Sequence, residues 1–335
     1  MYSDWKTVLY EYMKRKNQMD VDYSLLPLTP LLVDDQVIRR KKMLLQRLQE
    51  GFRVRQAQPV RNETRARLLD VTEDDRRITA DLELRIMRTY KLMNREHAEE
   101  RIEREKLTLF REGMHWFIGK IEEAVFERRP YYHEPSFSDF LSADNPRVSP
   151  APFLNLPLLS RSESSLRAIA YDRRQAVLYA DRHWDRANPE FIEFEVDCTN
   201  YISQCLFAGH APMNYTGKRE SGWWYRGRQN GRELWSYSWS VAHSLESLLR
   251  TGRTGLRGEL VDTPEQLSPG DVIIYDWDGD GRYQHSVIVT AFDAAGMPLV
   301  NAHTTNSKHR YWDYRDSYAW TPQTVYRFFR IADYF

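Results

Sequence analysis

"FIEFEVDCTNYISQCLFAGH", residues 191–210, is the stretch on which the fold turns. Cys198, Tyr201, Ile202 and Cys205 recur at i, i+3, i+4 and i+7, the spacing of one helix face. Asp197 stands where an N-cap residue belongs. Cys198 then falls in the first turn, where unpaired N–H groups and the helix dipole stabilise a thiolate. Cys205, two turns on and beside Leu206, faces the core. Positions seven apart on a helix lie about 10 Å apart along its axis. A disulfide needs Cα atoms within roughly 7 Å, so these two cysteines stay unpaired, which fits a reducing compartment. A free cysteine is by itself more often a small buried hydrophobe than a nucleophile. Its partners decide.

The partners stand near the C-terminus. "LSPGDVIIYDW" (267–277) turns at Ser268-Pro269-Gly270 and then predicts a strand from Val272 to Tyr275. "HSVIVTAF" (285–292) is a second strand, entered by His285, and "MPLVNAHT" (297–304) a third, after the turn "DAAG". A cysteine nucleophile needs a histidine to accept its proton, and the histidine needs an acceptor that orients it. Asn301 and His303 are i, i+2 on the third strand and share a face. Either can orient the imidazole of His285.

Ahead of His285, Asp276, Asp278, Asp280 and Gly281 fill the first half of a calcium loop. An EF-hand also needs a bidentate Glu at position twelve and a helix after it. Counted from Asp276 that position is Val287, inside a strand, so the EF-hand reading fails. A looser oxygen-ligand loop stays open, as does a plain turn, since Asp and Gly favour tight turns in any case. The turn is expected to deliver His285 to its strand, and no metal or other cofactor is assigned. "SGWWYRGRQNGRELWSYSWSVAHSLESLL" (221–249) is rich in aromatics, most of which are expected to pack this segment onto the domain. Trp223 and Trp224, with Tyr275 and Asp197, are the candidates for contact with a substrate.

Several ordered blocks also carry a resemblance: "YDRRQAVLYADRHWDRANPEF", "DCTNYISQCLFAG", "GWWY", "GDVIIYDWDGDG", "QHSVIVT" and "PLVNAHTTN". Together they resemble the bacterial putative amidase domain family, within the papain-like, NlpC-type cysteine peptidase superfamily, over roughly residues 165 to 335. The resemblance implies a papain-like α+β fold, Cys198 as nucleophile and His285 as base. For the third residue the NlpC pattern points to Asn301, and the "HT" of the amidase group makes His303 its rival. Asn301 is preferred, because an amide carbonyl accepts in any protonation state. The implied activity is a cysteine amidase or peptidase working through a thioester on a peptide or peptidoglycan-like amide. The alternative is a non-catalytic module that binds a peptide or cell-wall fragment on the same scaffold. The long stretch from "GHAPMNY" to "LVDTPEQ" departs from the NlpC pattern and bears on the shape of the substrate groove.

The remainder of the chain sets the frame. It has 335 residues, 41% hydrophobic and 29% charged, with formal net charge +0, ordinary for a globular protein. Phosphate binding calls for a basic face, so no nucleic-acid partner is expected. No apolar run reaches the length of a membrane span, and the first residues lack a secretory pattern; a cytoplasmic, membrane-free protein is expected. Residues 1–126 read as a separate α+β domain. One helical stripe is Trp5, Val8, Leu9 and Tyr12; a second is Val37, Met43, Leu44 and Leu48. An antiparallel meander follows, clearest in "ITADLELRIMRTY", where Leu82, Leu84 and Ile86 alternate with polar residues. No catalytic cluster is visible there, and oligomerisation or partner binding is its expected role. Residues 127–163 read as a Pro-rich linker. Residues 164–335 form the amidase-like domain, opening on a helix through Leu166, Ile169, Ala170, Val177, Ala180 and Trp184.

Overall fold

The computed structural model describes residues 4–25, 28, 31–123, 127, 168–229 and 232–335. Apart from Glu127, the expected linker at 127–163 lies outside the described residues. The fold class is α+β. Two compact units divide the chain. The first is Met1–Val125 together with Phe292–Gly296 and His309–Trp320; the second is Phe126–Ala291, Met297–Lys308 and Thr321–Phe335. Two short pieces of the C-terminal sequence therefore count with the N-terminal unit.

In the first unit, α1 (Trp5–Asp22) and α2 (Asp35–Arg55) are capped by Asp4 and Asp34, whose carboxylates accept from backbone N–H groups of the first turn. Four antiparallel strands follow: β1 (Gln58–Asp74), β2 (Arg77–Leu92), β3 (Arg95–Glu112) and β4 (His115–Glu123). Leu82, Leu84 and Ile86 point inward as their alternation predicts. The β2–β3 turn places Met93 and Asn94 at positive φ, the conformation of a tight hairpin. One expectation is corrected. The buried stripe of α2 is Val37, Lys41, Leu45, Leu48 and Phe52, while Met43 is exposed. A lysine can occupy that stripe because Glu123 accepts its ammonium at 2.5 Å, with Glu105 at 3.9 Å. The segment 309–320 joins this unit through Asp316. Its carboxylate meets Arg101 at 2.7 Å and Arg310 at 2.9 Å, with Arg88 at 3.6 Å.

The second unit begins with an extended segment, where the sequence pattern predicts helix. Ile169 exchanges backbone hydrogen bonds with Phe335, and Ala170 bridges Tyr334. Helix starts only at α3 (Arg173–His183), where the Asp172 side chain accepts from the Gln175 N–H. That cap fixes the boundary. Next come α4 (Cys198–Ala208), the hairpin β5 (Tyr225–Gln229) and β6 (Arg232–Trp235), and α5 (Tyr237–Ser240) and α6 (Ala242–Thr251). Then follow β7 (Gly258–Val261), β8 (Val272–Asp276), β9 (His285–Phe292), β10 (Pro298–Ala302), β11 (Ser307–Tyr311) and β12 (Val325–Ile331), of which Phe292 and His309–Tyr311 count with the first unit. Within this unit the sheet runs β10-β9-β8-β12-β7. β8 pairs antiparallel with both β9 and β12, with Tyr275 opposite His285 on one side and Tyr326 on the other. Helix α4 is buried along almost its whole length, and its Tyr201, Ile202, Cys205 and Leu206 join Ile274, Ile288 and Phe329 of the sheet in one core. Its polar residues can be buried because they have partners: Ser203 accepts from the Trp223 indole, Asn200 from the Trp239 indole and Gln204 from the Tyr179 hydroxyl. Among the described residues no helix is long and apolar enough to cross a membrane.

Candidate active site

Cys198 is the first residue of α4, and Asp197 precedes it at the cap position. The Asp197 side chain makes no cap bond to the helix. Its carboxylate turns instead to the Phe194 N–H (3.0 Å), the Asn200 amide (2.8 Å) and Nδ1 of His303 (2.7 Å). Both cysteines are free and buried. Their environments differ sharply. Burial pushes the Cys198 thiol up, but the hydrogen bond and charge of His285, the Ser286 N–H and the Thr199 hydroxyl outweigh it and bring the thiol down to about 7. Cys205 has no such partner cation, and burial holds its thiol well above the ordinary value. At neutral pH iodoacetamide should therefore modify Cys198 in the folded protein at least about ten times faster than Cys205, since the thiolate is the reacting form. Peptide mapping after partial alkylation reads the ratio, and equal labelling would sink the distinction.

The loop before β9 explains how His285 arrives. The buried Asp276 carboxylate accepts from the backbone N–H groups of Asp278 (3.2 Å), Gly279 (2.8 Å), Asp280 (3.4 Å) and Gly281 (2.7 Å). The acidic turn is thus closed on its own first residue. Gly279 has φ +69, and a Cβ there would lie 2.7 Å from the Gln323 carbonyl, so both backbone shape and space call for glycine. Gln284 finishes the loop: its N–H donates to the Tyr275 carbonyl and its side-chain oxygen accepts from Trp277 N–H. His285 then enters β9 buried, its ring 5.8 Å from that of Trp277 and 5.6 Å from that of Tyr275. Two hydroxyls fasten helix to strand. Thr199, next to Cys198, and Ser286, next to His285, share a hydrogen bond at 3.0 Å.

Both candidate orienting residues are held by hydrogen bonds. Asn301 accepts from the Thr290 hydroxyl (2.9 Å) and donates to Asp181 (2.9 Å). His303 places Nδ1 on Asp197 and Nε2 on the His183 carbonyl, each at 2.7 Å, and stacks on Tyr201 with centroids 3.9 Å apart. Both ring nitrogens are thus engaged, one by the Asp197 carboxylate and one by a backbone carbonyl. The amide is held by Thr290 and Asp181, while His303 grips the residue beside the thiol.

Trp223 and Trp224, expected among the substrate contacts, are interior instead. The Trp223 indole N–H donates to Ser203 and that of Trp224 to the Ser221 carbonyl, each at 3.0 Å. Tyr275 is fully buried against Trp277, and Asp197 is the buried partner of His303. Thr304 is the residue sequence reasoning overlooked. Its hydroxyl accepts from the N–H groups of both Asp197 (3.2 Å) and Cys198 (3.1 Å). The Cys198 N–H is thereby taken. Thr304 holds φ +89, a conformation that costs a β-branched residue about 1–3 kcal/mol. The only sequence signal for it is its place directly after His303. Among the described residues no group of His, Cys, Asp and Glu is arranged to hold a metal ion.

Residues 170–329 match a family model described as "Putative amidase domain". A protein of Bacillus subtilis (strain 168), described as "Uncharacterized protein YhbB", is 38% identical over 304 residues, which is 90% of this chain and 87% of the relative. The chain belongs to the family of that Bacillus protein and carries the putative amidase domain. The likeness to the Bacillus relative is longer than the domain match and extends beyond it, so this family protein shares more than the amidase-like region. No solved structure matches the chain. Amidase-like hydrolysis is the activity that the domain description suggests, and Cys198, His285, Asn301 and His303 all fall inside the matched residues.

Proposed function

We propose that the protein is a cysteine amidase or peptidase of papain-like, NlpC-type design, acting on a peptide or peptidoglycan-like amide. The observation that carries this reading is the clasp that sets Cys198 beside the strand led by His285, the Thr199–Ser286 hydrogen bond at 3.0 Å, together with the lowering of the buried thiol to about 7 by His285. His285 takes the thiol proton, and the Cys198 sulfur attacks the amide carbonyl carbon while the π pair moves to oxygen. Collapse of the tetrahedral species breaks the C–N bond. The amine leaves with the proton from His285, and a thioester remains on Cys198. Water, deprotonated by His285, then releases the acid and restores the thiol. The long meander of the N-terminal unit suits an oligomerisation or partner-binding role.

The reading is tested with p-nitrophenyl acetate, an acyl donor that needs no dedicated substrate groove. The expected result is a burst of p-nitrophenolate equal to the protein concentration, one acetyl group on Cys198 by peptide mass, and no burst in Cys198→Ala. A chain that alkylates at Cys198 but never acylates would favour the binding-module alternative.

A further inference from the structure

Thr304 makes contacts that its neighbours do not explain. It lies just past β10, and its hydroxyl oxygen receives two backbone N–H groups at the start of α4, from Asp197 and from Cys198 itself. A hydroxyl has two lone pairs and one proton. With both lone pairs occupied, the proton is all the hydrogen-bonding capacity it has left, and among the described residues none accepts it. Two donors into the oxygen polarise the O–H and make it a stronger donor. The position is held with unusual firmness. His303, one residue earlier, is tied to Asp197 and to the His183 carbonyl and stacks on Tyr201. Thr304 itself keeps φ +89, which a β-branched residue does not adopt unless its surroundings impose it. Oxygen, strain and anchor all meet at the backbone of the candidate nucleophile.

We infer that the Thr304 hydroxyl is an oxyanion donor for Cys198, relaying the polarity of the Asp197 and Cys198 N–H groups to the substrate carbonyl oxygen. This rests on the amidase reading. It replaces the direct Cys198 N–H, which Thr304 occupies. When the thiolate adds to the carbonyl carbon, the C–S bond forms, the C=O π pair moves onto oxygen, and the Thr304 O–H donates to that charge. When the species collapses the pair returns, the leaving group departs with its bonding pair, and Thr304 keeps its proton throughout. Donors placed where charge develops act on the addition step and leave the nucleophile's own reactivity alone.

The test compares two reactions of the same sulfur. Acylation by p-nitrophenyl acetate passes through an oxyanion; alkylation by iodoacetamide does not. Thr304→Val, which keeps shape and loses the hydroxyl, should slow Cys198 acylation by about 100-fold and change alkylation by less than about 3-fold. Thr304→Ser, which keeps the hydroxyl, should acylate within about 3-fold of the parent. Thr304→Gly accommodates positive φ without strain and should repeat the valine result, so the test stands if valine misfolds. Equal or faster acylation in both the valine and glycine variants would overturn the inference and make Thr304 a removable plug. A matched fall in acylation and alkylation would also overturn it, leaving a structural role at the helix start. Failure of the unsubstituted protein to acylate at all, with Cys198 still alkylated, would remove the amidase reading and this inference together.

Discussion

His285→Ala should lower the rate of Cys198 alkylation at pH 7 by about 50-fold or more. With the thiol at about 7, half of Cys198 is thiolate at that pH. Burial alone drives the thiol in the other direction, and the two His285 contributions are the largest that oppose it. Without the imidazole the thiol returns to its ordinary range near 9 or above, where about 1% or less is thiolate at pH 7. The sign is fixed by the reacting species. The thiolate is the deprotonated form, so a depressed value means reactivity that is complete on the alkaline side of pH 7 and is lost as pH falls through it. The parent's alkylation rate should therefore level off above about pH 8, whereas the variant's should still be climbing at pH 9. Amide cleavage should suffer further, by about 10²–10⁴-fold, because the leaving amine also loses its proton donor. Stopped alkylation followed across pH reads both effects. A variant with an unshifted profile would mean that another group activates Cys198.

What the sequence discloses about this site is its local part. The i, i+3, i+4, i+7 pattern at Cys198, Tyr201, Ile202 and Cys205 fixes a helix because the period is intrinsic to the backbone, and α4 starts at Cys198. The strand led by His285 is legible for the same reason, from its β-branched run and the turn before it. The bonds that join the two are not legible. Thr199 meets Ser286 across 87 positions, and Thr304 meets Cys198 across 106. No local preference marks a hydroxyl for such a partner. Ile169 and Ala170 mislead in the opposite way: their spacing suits a helix, but pairing with the C-terminal residues Tyr334 and Phe335 makes them extended. Lys41 likewise looks like a surface residue until Glu123 arrives from a strand 82 positions away. Periodicity reports what one segment wants. Ion pairs and hydroxyl clamps depend on where a distant segment lands, and they are what set the chemistry around Cys198.

The choice between His303 and Asn301 turns on that distinction, and the expected order is that His303→Ala does the greater damage. Asn301 accepts from the Thr290 hydroxyl and donates to the Asp181 carboxylate, and losing a buried hydrogen-bonding partner of this kind costs about 1–3 kcal/mol. His303 holds the buried Asp197 carboxylate through Nδ1 at 2.7 Å. Removing a hydrogen-bonding partner of a buried carboxylate costs more than removing that of a neutral group, although the Phe194 N–H and the Asn200 amide keep part of that carboxylate satisfied. The kinetic consequence follows from position. Asp197 directly precedes Cys198, so an unbalanced negative charge there disfavours the thiolate, and Thr304 loses the anchored residue before it. His303→Ala should lower the urea midpoint more than Asn301→Ala and should slow Cys198 acylation more at pH 7. Asp197→Asn with His303→Ala in one chain separates charge from packing. The double variant removes the buried carboxylate along with its partner, so it should recover part of the stability that His303→Ala loses, while the Tyr201 stacking loss remains. If Asn301→Ala proved the slower enzyme with its fold intact, the orienting role would pass to Asn301 and the Asp197–His303 pair would be a structural support for the helix start alone.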